Sequence, residues 1–546
     1  MFFSILNNNL TGEIPPSICS ATALQVLDLS ANALTGELNK NVPKPSKNGR
    51  IFKSSTYLPT LDLSHNNLSL HVNEKVPISS LFPRLGSRML ASCKLQKLPL
   101  FKAQSSLMML DLAENQLEGE IPNWIWEVGN GFLRFCNLSN NQFTRLQEPY
   151  DSRSLHFLDV HSNLLSGQIP LPPPSAVFID LNNNFSSSLP ENIGDFLRPA
   201  RFFSVATNGI IGTIPFSNNL SGDIPSTFPV GCALETLALG LNVLQGKVPR
   251  SLERCTEIEI INLSNNDLND CFPCWLKNLS KIRVLVLSFN KFRGNISCLR
   301  QNSSNWPNLQ IINIASKNFH GVLPATFFQK LKALMVDENG PQPHLDHLHL
   351  YLAETNIYYQ DSITVTIKGL DMDLRKILTI FTSIDFSNNH FQGIIPETIG
   401  EMKSLCILNF SRNALSDHIP SSIGSPQKLE SLDLSFNNLN GQMPQQIARP
   451  TFFSFLNLSY NHLVGRIPQG SQMQTFTESS YIGNDGLCGF PLNKTCNGSE
   501  APAAMFPRRY LESEEKETSM DSEIYVSAAL GFLVGLGVIL APLLFC

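Results

Sequence analysis

Residues 429–444 read LESLDLSFNNLNGQMP, and this stretch decides the fold. Three leucines, at 429, 432 and 434, are followed by an asparagine, a leucine, a glycine and a hydrophobic residue before proline, which gives the pattern LxxLxLxxNxLxGxφP. The pattern recurs along nearly the whole chain. Its asparagines Asn389, Asn413, Asn437 and Asn461 stand 24 residues apart, as do Asn242, Asn266 and Asn290.

One period of this pattern predicts one coil of a solenoid. In LDL, at 432–434, two leucines alternate with a polar residue, as in a strand that buries one face. The amide of Asn437 can satisfy backbone groups where the strand ends, Gly441 permits a tight turn, and Pro444 is expected to stop a helix and make a corner. A single coil cannot bury its leucines alone, so coils must stack, as in leucine-rich repeats. The sequence therefore predicts an α/β-type solenoid, a leucine-rich-repeat superhelix whose concave parallel sheet presents a long binding surface.

Composition and charge narrow the class of protein. The 546 residues are 42% hydrophobic and 16% charged, with a net charge of −5. Because nucleic-acid binding needs a concentrated basic face, this mild acidity argues against it. A chain of this length would ordinarily suggest roughly three or four domains. Because the repeat runs along nearly the whole chain, we expect one elongated domain instead.

The pattern divides the chain into six segments. They are leucine-rich repeats at 1–331 with a truncated start and an irregular part at 179–225, an island at 332–378, further repeats at 379–470, a C-terminal cap at 471–496, an acidic juxtamembrane spacer at 497–523 and a transmembrane helix at 524–546. Residues 2–15 already end as a repeat ends, and no signal peptide precedes them. We therefore hypothesise that upstream sequence is missing or that two gene segments were joined.

Several coils depart from the pattern. Only 11 residues separate Asn208 from Asn219, so half a coil, with its strand, is expected to be absent between residues 179 and 225. Cys93 occupies an asparagine position and is expected to act as a turn residue rather than as a reactive thiol. Lys317 replaces another asparagine, and the next one, Asn389, follows only after 72 residues.

The interruption at 332–378 is interpreted as a functional island, since a structureless insertion this long in a regular solenoid usually carries function. Residues 358–368 are predicted to form one strand, and the remainder of the island is polar. Together with outward residues of one repeat strand, this segment supplies the candidate ligand contacts. They are Glu235, Thr236, Ala238, Tyr358, Tyr359, Gln360, Asp361 and Lys368.

Thirteen N-x-S/T sequons favour a glycosylated extracellular chain. Some of these sequons arise from the repeat itself, because its L-N-L-S segment is a sequon, as at Asn262 and Asn457. Others, such as Asn278 and Asn295, lie outside that segment. The predicted glycosylation sites are Asn9, Asn67, Asn137, Asn184, Asn219, Asn262, Asn278, Asn295, Asn302, Asn409, Asn457, Asn493 and Asn497.

The twelve cysteines are too widely scattered to form a disulfide-dense scaffold. Cys488 and Cys496 are expected to form a disulfide that closes the C-terminal cap, where the core of the last coil would otherwise meet water. Two further pairs are about one coil apart and either form disulfides or remain free in the core. These pairs are Cys232 with Cys255 and Cys274 with Cys298.

No arrangement of residues indicates catalysis or a cofactor. Cys271 and Cys274 have C-x-x-C spacing, but they lie inside a repeat without a second pair at zinc spacing. His344, His347 and His349 resemble a metal cluster, yet a solvated or ligand-facing surface is favoured because no cysteine accompanies them. No Ser–His–Asp order, phosphate-binding glycine loop or acid pair stands out. We therefore expect a protein that is not an enzyme and holds no metal or cofactor.

The end of the chain is predicted to cross a membrane. Residues 524–546, IYVSAALGFLVGLGVILAPLLFC, carry no charge over 23 residues. That length spans ~30 Å of hydrocarbon as a helix. Gly531, Gly535 and Gly537 permit close pairing with another helix, although this spacing also arises by chance. The preceding acidic run, ESEEKE at 512–517, is typical of a solvated spacer.

Together these motifs resemble plant leucine-rich-repeat receptor-like proteins, notably the Verticillium wilt resistance-type and Cf-type defence receptors. The resemblance rests on the L-x-G-x-I-P repeat, the island YYQDSITVTIKGLDMDLRKIL at 358–378, the cap YIGNDGLCGFPL at 481–492 and GFLVGLG at 531–537. It implies a kinase-lacking, single-pass receptor of the plasma membrane with extracellular repeats. Such a receptor would bind an extracellular peptide or microbial ligand and signal in defence through an adaptor receptor kinase and a co-receptor kinase.

Other functions remain open from the sequence. The same architecture would serve a receptor for a developmental peptide. A non-signalling inhibitor or scaffold that binds a cell-wall hydrolase is a different class, and it would need no membrane helix. If the start of the chain is genuine, the alternative is a non-functional truncated receptor.

Overall fold

The alternating L-x-L segments fold as short parallel strands, as their pattern predicts. In the part of the chain that the structure describes, seventeen of them pair in chain order into one sheet, called here the main sheet. The middle residue of each strand points into the core, and the first and third point outward to the concave face. Leu432, for example, aligns with Leu408 and Leu456 and is fully buried.

The strands of the main sheet are Phe2–Ser4, Val26–Asp28, Thr60–Asp62, Ser87–Met89, Met109–Asp111, Phe135–Asn137, Phe157–Asp159, Phe178–Asp180, Phe202–Ser204, Thr236–Ala238, Ile260–Asn262, Val284–Val286, Ile311–Asn313, Ser383–Asp385, Ile407–Asn409, Ser431–Asp433 and Phe455–Asn457.

This computed structural model describes residues 1–14, 23–37, 58–69, 85–99, 101–102, 104–150, 153–206, 220–296, 305–315, 318–335, 346–352, 357–367 and 369–496. All of them belong to one unit, Met1–Cys496. The predicted spacer, the predicted membrane helix and Gly531, Gly535 and Gly537 lie outside the described residues. Among the residues that are described, no helix is long and apolar enough to span a membrane.

A ladder of buried asparagines fastens each coil to the one before it. The side-chain amide of Asn437 donates hydrogen bonds to the carbonyls of Phe410, Leu434 and Ser435 at 3.0–3.2 Å. Its Oδ1 accepts from the backbone N–H of Leu415 at 3.0 Å. Cys93 stands in this ladder as predicted, because its Sγ lies 3.2 Å from the carbonyl oxygen of Leu63. The asparagine therefore satisfies backbone groups of two coils at once.

After the main-sheet strand, most coils add a second short strand and a helical turn. Pro444 was expected to stop a helix, but with φ at −68° it precedes one, Gln445–Ala448. That φ is already the value a helix needs, which explains the correction. The second strands are Thr11–Gly12, Ala33–Glu37, Asn67–Ser69, Glu118–Ile121, Gln142–Leu146, Ser166–Gly167, Asn184–Phe185, His320–Val322, His390–Gly393, Ala414–Asp417, Asn438–Gln442, His462–Arg466 and Gly486–Cys488.

The helical turns are short, and most of them are 3-10 helices. Two are α-helical, Ile193–Phe196 and Ala325–Phe328. The 3-10 helices are Asn123–Gly131, which is kinked, Arg250–Arg254, Cys274–Asn278, Lys332–Leu334, Glu397–Glu401, Ser421–Gly424, Gln445–Ala448, Met473–Thr475 and Glu478–Ser480.

The irregular segment expected between residues 179 and 225 leaves no gap in the main sheet. Phe202–Ser204 pairs with Phe178–Asp180 on one side and with Thr236–Ala238 on the other. The inward residues Phe203 and Leu237 are both buried. The absence of half a coil therefore does not interrupt the sheet, because the strands on either side of the segment pair directly with each other. Asn208 and Asn219, on which that expectation rested, lie outside the described residues, as does Lys317.

The island consists of two antiparallel hairpins. The first hairpin pairs His349–Leu352 with Ile357–Gln360, and the second pairs Ile363–Ile367 with Leu370–Leu374. The single strand predicted at 358–368 is therefore wrong, and so is the idea of a structureless insertion. The island also begins later than residue 332, because Leu334 is buried in the core of the repeats. We keep the name island for residues 346–378.

Disulfides join cysteines of neighbouring coils and of the cap. Cys232 and Cys255 are bonded, with Cα atoms 4.6 Å apart, which selects one of the two alternatives that the sequence left open. Cys488 and Cys496 are also bonded, with Cα atoms 5.1 Å apart. Cys274 is disulfide-bonded, whereas Cys271 is free and exposed, so the C-x-x-C is not a redox pair. The proposed partner of Cys274, residue 298, lies outside the described part of the chain.

One coil carries a charge where the pattern has a leucine. Arg88 aligns with Leu61 and Leu110 and points into the core, where it is 2% exposed. Its guanidinium lies 5.0 Å from the ring centroid of Phe101, but its Nε and Nη1 have no hydrogen-bond partner in the described part of the chain. Burial lowers the pKa of Arg88 to about 10. A buried charge without a counterion weakens this coil.

Candidate ligand-binding site

The concave face carries a row of phenylalanines that would be unfavourable in water. Phe135, Phe157, Phe178 and Phe202 occupy the first outward position of four consecutive strands. Their rings stack with centroids 4.3–4.4 Å apart, and all four are buried. Because the repeats themselves do not cover this face, another part of the chain must do so.

The first hairpin of the island covers this row. Leu350 and Leu352 are buried in one apolar cluster with the phenylalanines. The ring of Tyr359 meets Phe178 and Phe202 edge-on, at 4.7 Å from each centroid. Aromatic pairs favour this geometry. The hairpin is therefore docked on the concave face rather than free in solvent.

The second hairpin covers the outward residues of the following strands. Ile260, Val284 and Ile311 occupy the same first position there and are buried against the island. The island residues buried in that cluster are Leu348, Ile363, Val365 and Ile377.

The tip of the second hairpin reaches the last strand of the main sheet. A Cβ atom built on Gly369 would lie 3.9 Å from Cζ of Phe455. Between Ile311 and Phe455 the sheet advances by four strands, or about 19 Å, which a hairpin of this length can span. The outward residues of the intervening strands, Ser383, Ile407 and Ser431, are each 3% exposed.

A buried carboxylate marks the junction of the two hairpins. Asp361 and Thr236 are each 5% exposed, and the hydroxyl of Thr236 donates to Oδ1 of Asp361 at 2.9 Å. Burial raises the pKa of Asp361 to about 7. The hydrogen bond from Thr236 lowers it in part, while Glu259 and Glu235 raise it further. Docking of the island is therefore easier when this carboxyl group is protonated.

Arg201 ties the strand surface to the first hairpin. Its Nε and Nη2 donate to both carboxylate oxygens of Glu235, at 2.6 and 2.9 Å. Its Nη1 donates to the backbone carbonyl of Tyr351 at 2.9 Å. The guanidinium fork thus holds an acid of the repeats and the backbone of the island in one plane.

Several of the predicted ligand contacts hold the island in place instead of facing solvent. Thr236 and Asp361 are buried against each other, and the half-buried Glu235 is paired with Arg201, so in the docked island these three residues contact the protein itself. The reason is that the island itself occupies the concave surface. Their contact with a ligand stays a prediction. Ala238, Tyr359 and Gln360 are half-buried, Tyr358 is exposed, and Lys368 lies outside the described residues.

The outer face of the island is the accessible part of this site. Tyr358 donates or accepts a hydrogen bond with Nε2 of His347, and its ring stacks on His349 with centroids 4.6 Å apart. His344, the third member of the predicted histidine group, lies outside the described residues. The exposed large apolar residues of the island are Tyr351, Tyr358, Leu370, Met372 and Leu378.

Sequence reasoning missed the residues that dock the island. The sequence did contain a signal for these residues. Four phenylalanines, and then Ile260 and Val284, occupy positions at which the repeat usually has solvent-exposed residues. An apolar residue repeated at an outward position indicates a surface that something covers. From residue 383 onward, serine alternates with an apolar residue at this position, as Ser383, Ile407, Ser431 and Phe455, so the signal is weaker there.

A second group that the sequence reading missed lies beside the phenylalanine row. Asp159, His161 and Asp180 bring ligand atoms within 4.8 Å of one another, although no metal site was expected. Nδ1 of His161 is 2.6 Å from Oδ1 of Asp159 and 3.8 Å from Oδ2 of Asp180. Burial lowers the pKa of His161, but Asp159 and Asp180 raise it to about 9 overall. Burial also raises the pKa of Asp180 to about 7.

The predicted glycosylation sites differ in exposure. Asn409 is buried, and its Oδ1 accepts hydrogen bonds from the N–H and hydroxyl of Ser411, so it is a turn residue in this fold. Asn137, Asn184, Asn262 and Asn457 are half-buried. Asn9, Asn67, Asn278, Asn295 and Asn493 are exposed, and Asn219, Asn302 and Asn497 lie outside the described residues.

Comparison with known proteins agrees with this architecture. Protein-family models described as leucine rich repeat match residues 381–439 and 106–128. Receptor-like protein 35 of Arabidopsis thaliana is 36% identical over 469 residues, which cover 82% of this chain and 46% of that protein. The chain belongs to the plant leucine-rich-repeat receptor-like proteins. It spans about half the length of the curated relatives it matches.

Solved structures of plant receptor ectodomains share the fold of this receptor-like protein. The ectodomain of the Arabidopsis thaliana membrane receptor kinase GASSHO1/SCHENGEN3, in complex with CASPARIAN STRIP INTEGRITY FACTOR 2, superposes with a TM-score of 0.63 at 24% identity. The match covers 91% of this chain and 54% of that one. The Arabidopsis receptor kinase HAESA, in complex with the peptide hormone IDA and the co-receptor SERK1, gives 0.51 at 24% identity and covers 89% and 86%.

Proposed function

We propose that this protein is a non-enzymatic, cell-surface receptor-like protein that binds an extracellular peptide or microbial ligand through its island. The observation that carries the proposal is the accessible face of the docked island. Tyr358, Leu370 and Met372 are exposed there although they are large and apolar. Exposed residues of this kind mark interaction surfaces, and tyrosine is enriched among the residues that dominate binding energy.

The docked position of the island favours ligand binding in a further way. Its first hairpin is held by Arg201, and its second hairpin is held where Ile363 and Val365 pack on the repeat strands. A binding element that is already ordered loses less conformational entropy when a ligand arrives. The island therefore offers a preorganised surface, which supports recognition of a flexible peptide.

Signalling is proposed to need partners, because the family resemblance implies a receptor without a kinase. We infer a single-pass protein of the plant plasma membrane, with extracellular repeats, that pairs with an adaptor receptor kinase in defence and recruits a co-receptor kinase. The uncharged stretch 524–546, with its Gly531-x-x-x-Gly535 motif, supports pairing within the membrane. The solved complex of a related fold with a peptide and a co-receptor supports the kind of partner.

Binding is tested with a displayed library of random peptides selected against the purified full chain in detergent. Affinities of the selected peptides are then compared for Tyr358→Ala and Tyr460→Ala, which remove tyrosines exposed by 44% and 48% at different places. We expect Tyr358→Ala to weaken binding at least about tenfold and Tyr460→Ala to leave it unchanged. Selected peptides whose affinity survives both Tyr358→Ala and Met372→Ala would show that the outer island is not the binding face.

Partner pairing is tested separately. Gly531→Leu with Gly535→Leu should reduce co-precipitation of an adaptor receptor kinase from plant membranes, because bulky residues prevent close helix contact. Leu533→Ala, which changes a residue on the opposite face of the predicted helix, is the control. Undiminished co-precipitation by the double variant would refute pairing through this motif while leaving the peptide-binding proposal intact.

A further inference from the structure

The side chains of Asp159, His161 and Asp180 meet at the ends of two neighbouring strands on the concave face. Asp159 and Asp180 are directly opposite each other in the strand register. They are 4% and 1% exposed, so two carboxylates are buried side by side. Such a pair repels unless positive charge lies between its members.

The same position in a regular coil avoids this conflict. Asp433 accepts hydrogen bonds from the N–H and hydroxyl of Ser435, at 2.9 and 2.6 Å. Its second oxygen lies 3.4 Å from the side-chain amide of Asn457, a neutral donor on the next strand. Asp180 has no such neighbour, because one adjacent strand presents Asp159 and the other Ser204.

The hydrogen bonds to Asp180 are long. Its Oδ1 accepts a bond of 3.3 Å from the backbone N–H of Asn182. Its Oδ2 is 3.8 Å from Nδ1 of His161, which is within ion-pair distance but beyond hydrogen-bond range. One imidazolium balances only one of the two carboxylates. Negative charge is therefore in excess where the three side chains meet.

The histidine has a partner at each ring nitrogen. Nδ1 of His161 is 2.6 Å from Oδ1 of Asp159, with the proton between them, and Nε2 is 3.2 Å from the side-chain amide of Asn140. A cation at Nδ1 would displace that proton to Nε2, where the reversed amide of Asn140 accepts it. A hydrogen bond to the far ring nitrogen is the usual support of a metal-binding histidine.

We propose that Asp159, His161 and Asp180 form a binding site for a divalent transition-metal cation. Zn²⁺ accepts imidazole nitrogen and carboxylate oxygen at about 2.0–2.2 Å, which separates neighbouring ligand atoms by about 3.4 Å. The observed separations of 2.6 and 3.8 Å from Nδ1 of His161 bracket that value, so small side-chain rotations suffice. Mn²⁺, which also takes mixed nitrogen and oxygen ligands, is the second cation of this class.

The test measures Zn²⁺ binding to the metal-stripped full chain by isothermal titration calorimetry at one fixed pH. Wild type is expected to bind one equivalent at this site, and Asp180→Asn and His161→Gln are each expected to weaken that binding at least about tenfold. Asp433→Asn is the matched control, because it changes the same turn position in a coil without histidine. It should leave the affinity unchanged.

A second measurement covers variants that fail to fold. Co²⁺ added to the wild-type chain should give visible absorption bands of a nitrogen- and oxygen-ligated ion, and Zn²⁺ should remove them. The proposal is overturned if wild type binds neither ion. It is equally overturned if Asp180→Asn and His161→Gln bind Zn²⁺ as wild type does, which would leave the group as an ion pair and place the ion elsewhere.

Discussion

The coils at 381–468 and the coils beneath the first hairpin share one core but differ on their outer face. In both regions the inward row is buried by neighbouring coils, as for Leu432 and Phe203. The outward row contains serines at 383 and 431 in the first region, but phenylalanine at four consecutive strands in the second. The repeat pattern therefore determines which residues face the core. Departures from the pattern determine which part of the concave face the island covers.

The largest effect is expected from the inward row of the regular coils. Leu432→Ala removes a fully buried side chain and should lower the free energy of unfolding by about 3 kcal/mol, since no element can fill the cavity. Denaturant unfolding followed by circular dichroism measures this loss. Ser431→Ala, on the same strand but outward, is the control. Equal losses for the two variants would contradict the division into inward and outward rows.

In the outward row, loss of a buried side chain is expected to weaken docking of the island rather than the core of the coils. Phe178→Ala removes a ring that stacks on Phe157 and Phe202 and meets Tyr359, which should weaken docking of the first hairpin by about 2–3 kcal/mol. Hydrogen exchange should accelerate in His349–Leu352 and Ile357–Gln360 more than in Ser431–Asp433. If exchange accelerates everywhere alike, the island and the coils form a single layer and the comparison fails.

A gain is expected where the inward row carries the wrong residue. Arg88→Leu replaces a buried, unpaired charge with the residue that the pattern prescribes and should stabilise the chain by about 2 kcal/mol. The denaturant midpoint should rise accordingly. Arg88→Lys keeps the charge and serves as control, so a similar rise for lysine would assign the effect to something other than the charge.

The smallest expected effect concerns pH and the docking of the second hairpin. The pKa of Asp361 is about 7 when docked against an ordinary value of 3.8, so the undocked carboxyl ionises first and raising the pH through this window favours release. Thr236 and His349 favour the charged form, whereas Glu235 and Glu259 oppose it, and burial outweighs them all. Opening should therefore increase about tenfold, or about 1.4 kcal/mol, between pH 5 and pH 6, and the increase should level off as the pH passes 7.

This pH dependence is measured by hydrogen exchange of Ile363–Ile367, corrected for the intrinsic effect of pH on exchange. Asp361→Asn cannot ionise and should abolish the dependence. A slope that persists in the asparagine variant would locate the titrating group elsewhere, for instance at Asp180 and His161 beneath the first hairpin.

The regular coils could be predicted from sequence because each residue there has one dominant role. Leu432 fills the core, Asn437 satisfies two coils and Cys93 replaces such an asparagine, and each role depends only on neighbours one coil away. The continuity of the main sheet at Phe203 could not be predicted in this way. The spacing of asparagines indicates an irregular segment there, whereas strand pairing depends on the apolar residues.

The binding surface was harder to predict because its partners are distant in sequence. Thr236 contacts Asp361 across 125 residues, and Arg201 reaches Tyr351 across 150. Local sequence patterns carry no information about contacts between residues so far apart in the chain. The apolar outward row at Phe135 and its successors was the available clue, and it indicates coverage without naming the covering segment.

The second hairpin, which packs on the strands of Ile260, Val284 and Ile311, has a mechanical consequence. A bare solenoid behaves as a one-dimensional chain in which each coil senses only the next, so its ends can fray and its curvature can fluctuate independently. A hairpin packed across three coils removes that independence. Bending of the stretch from Ile260 to Ile311 would strain the hairpin, so a force applied to one of these coils should be transmitted to the other two.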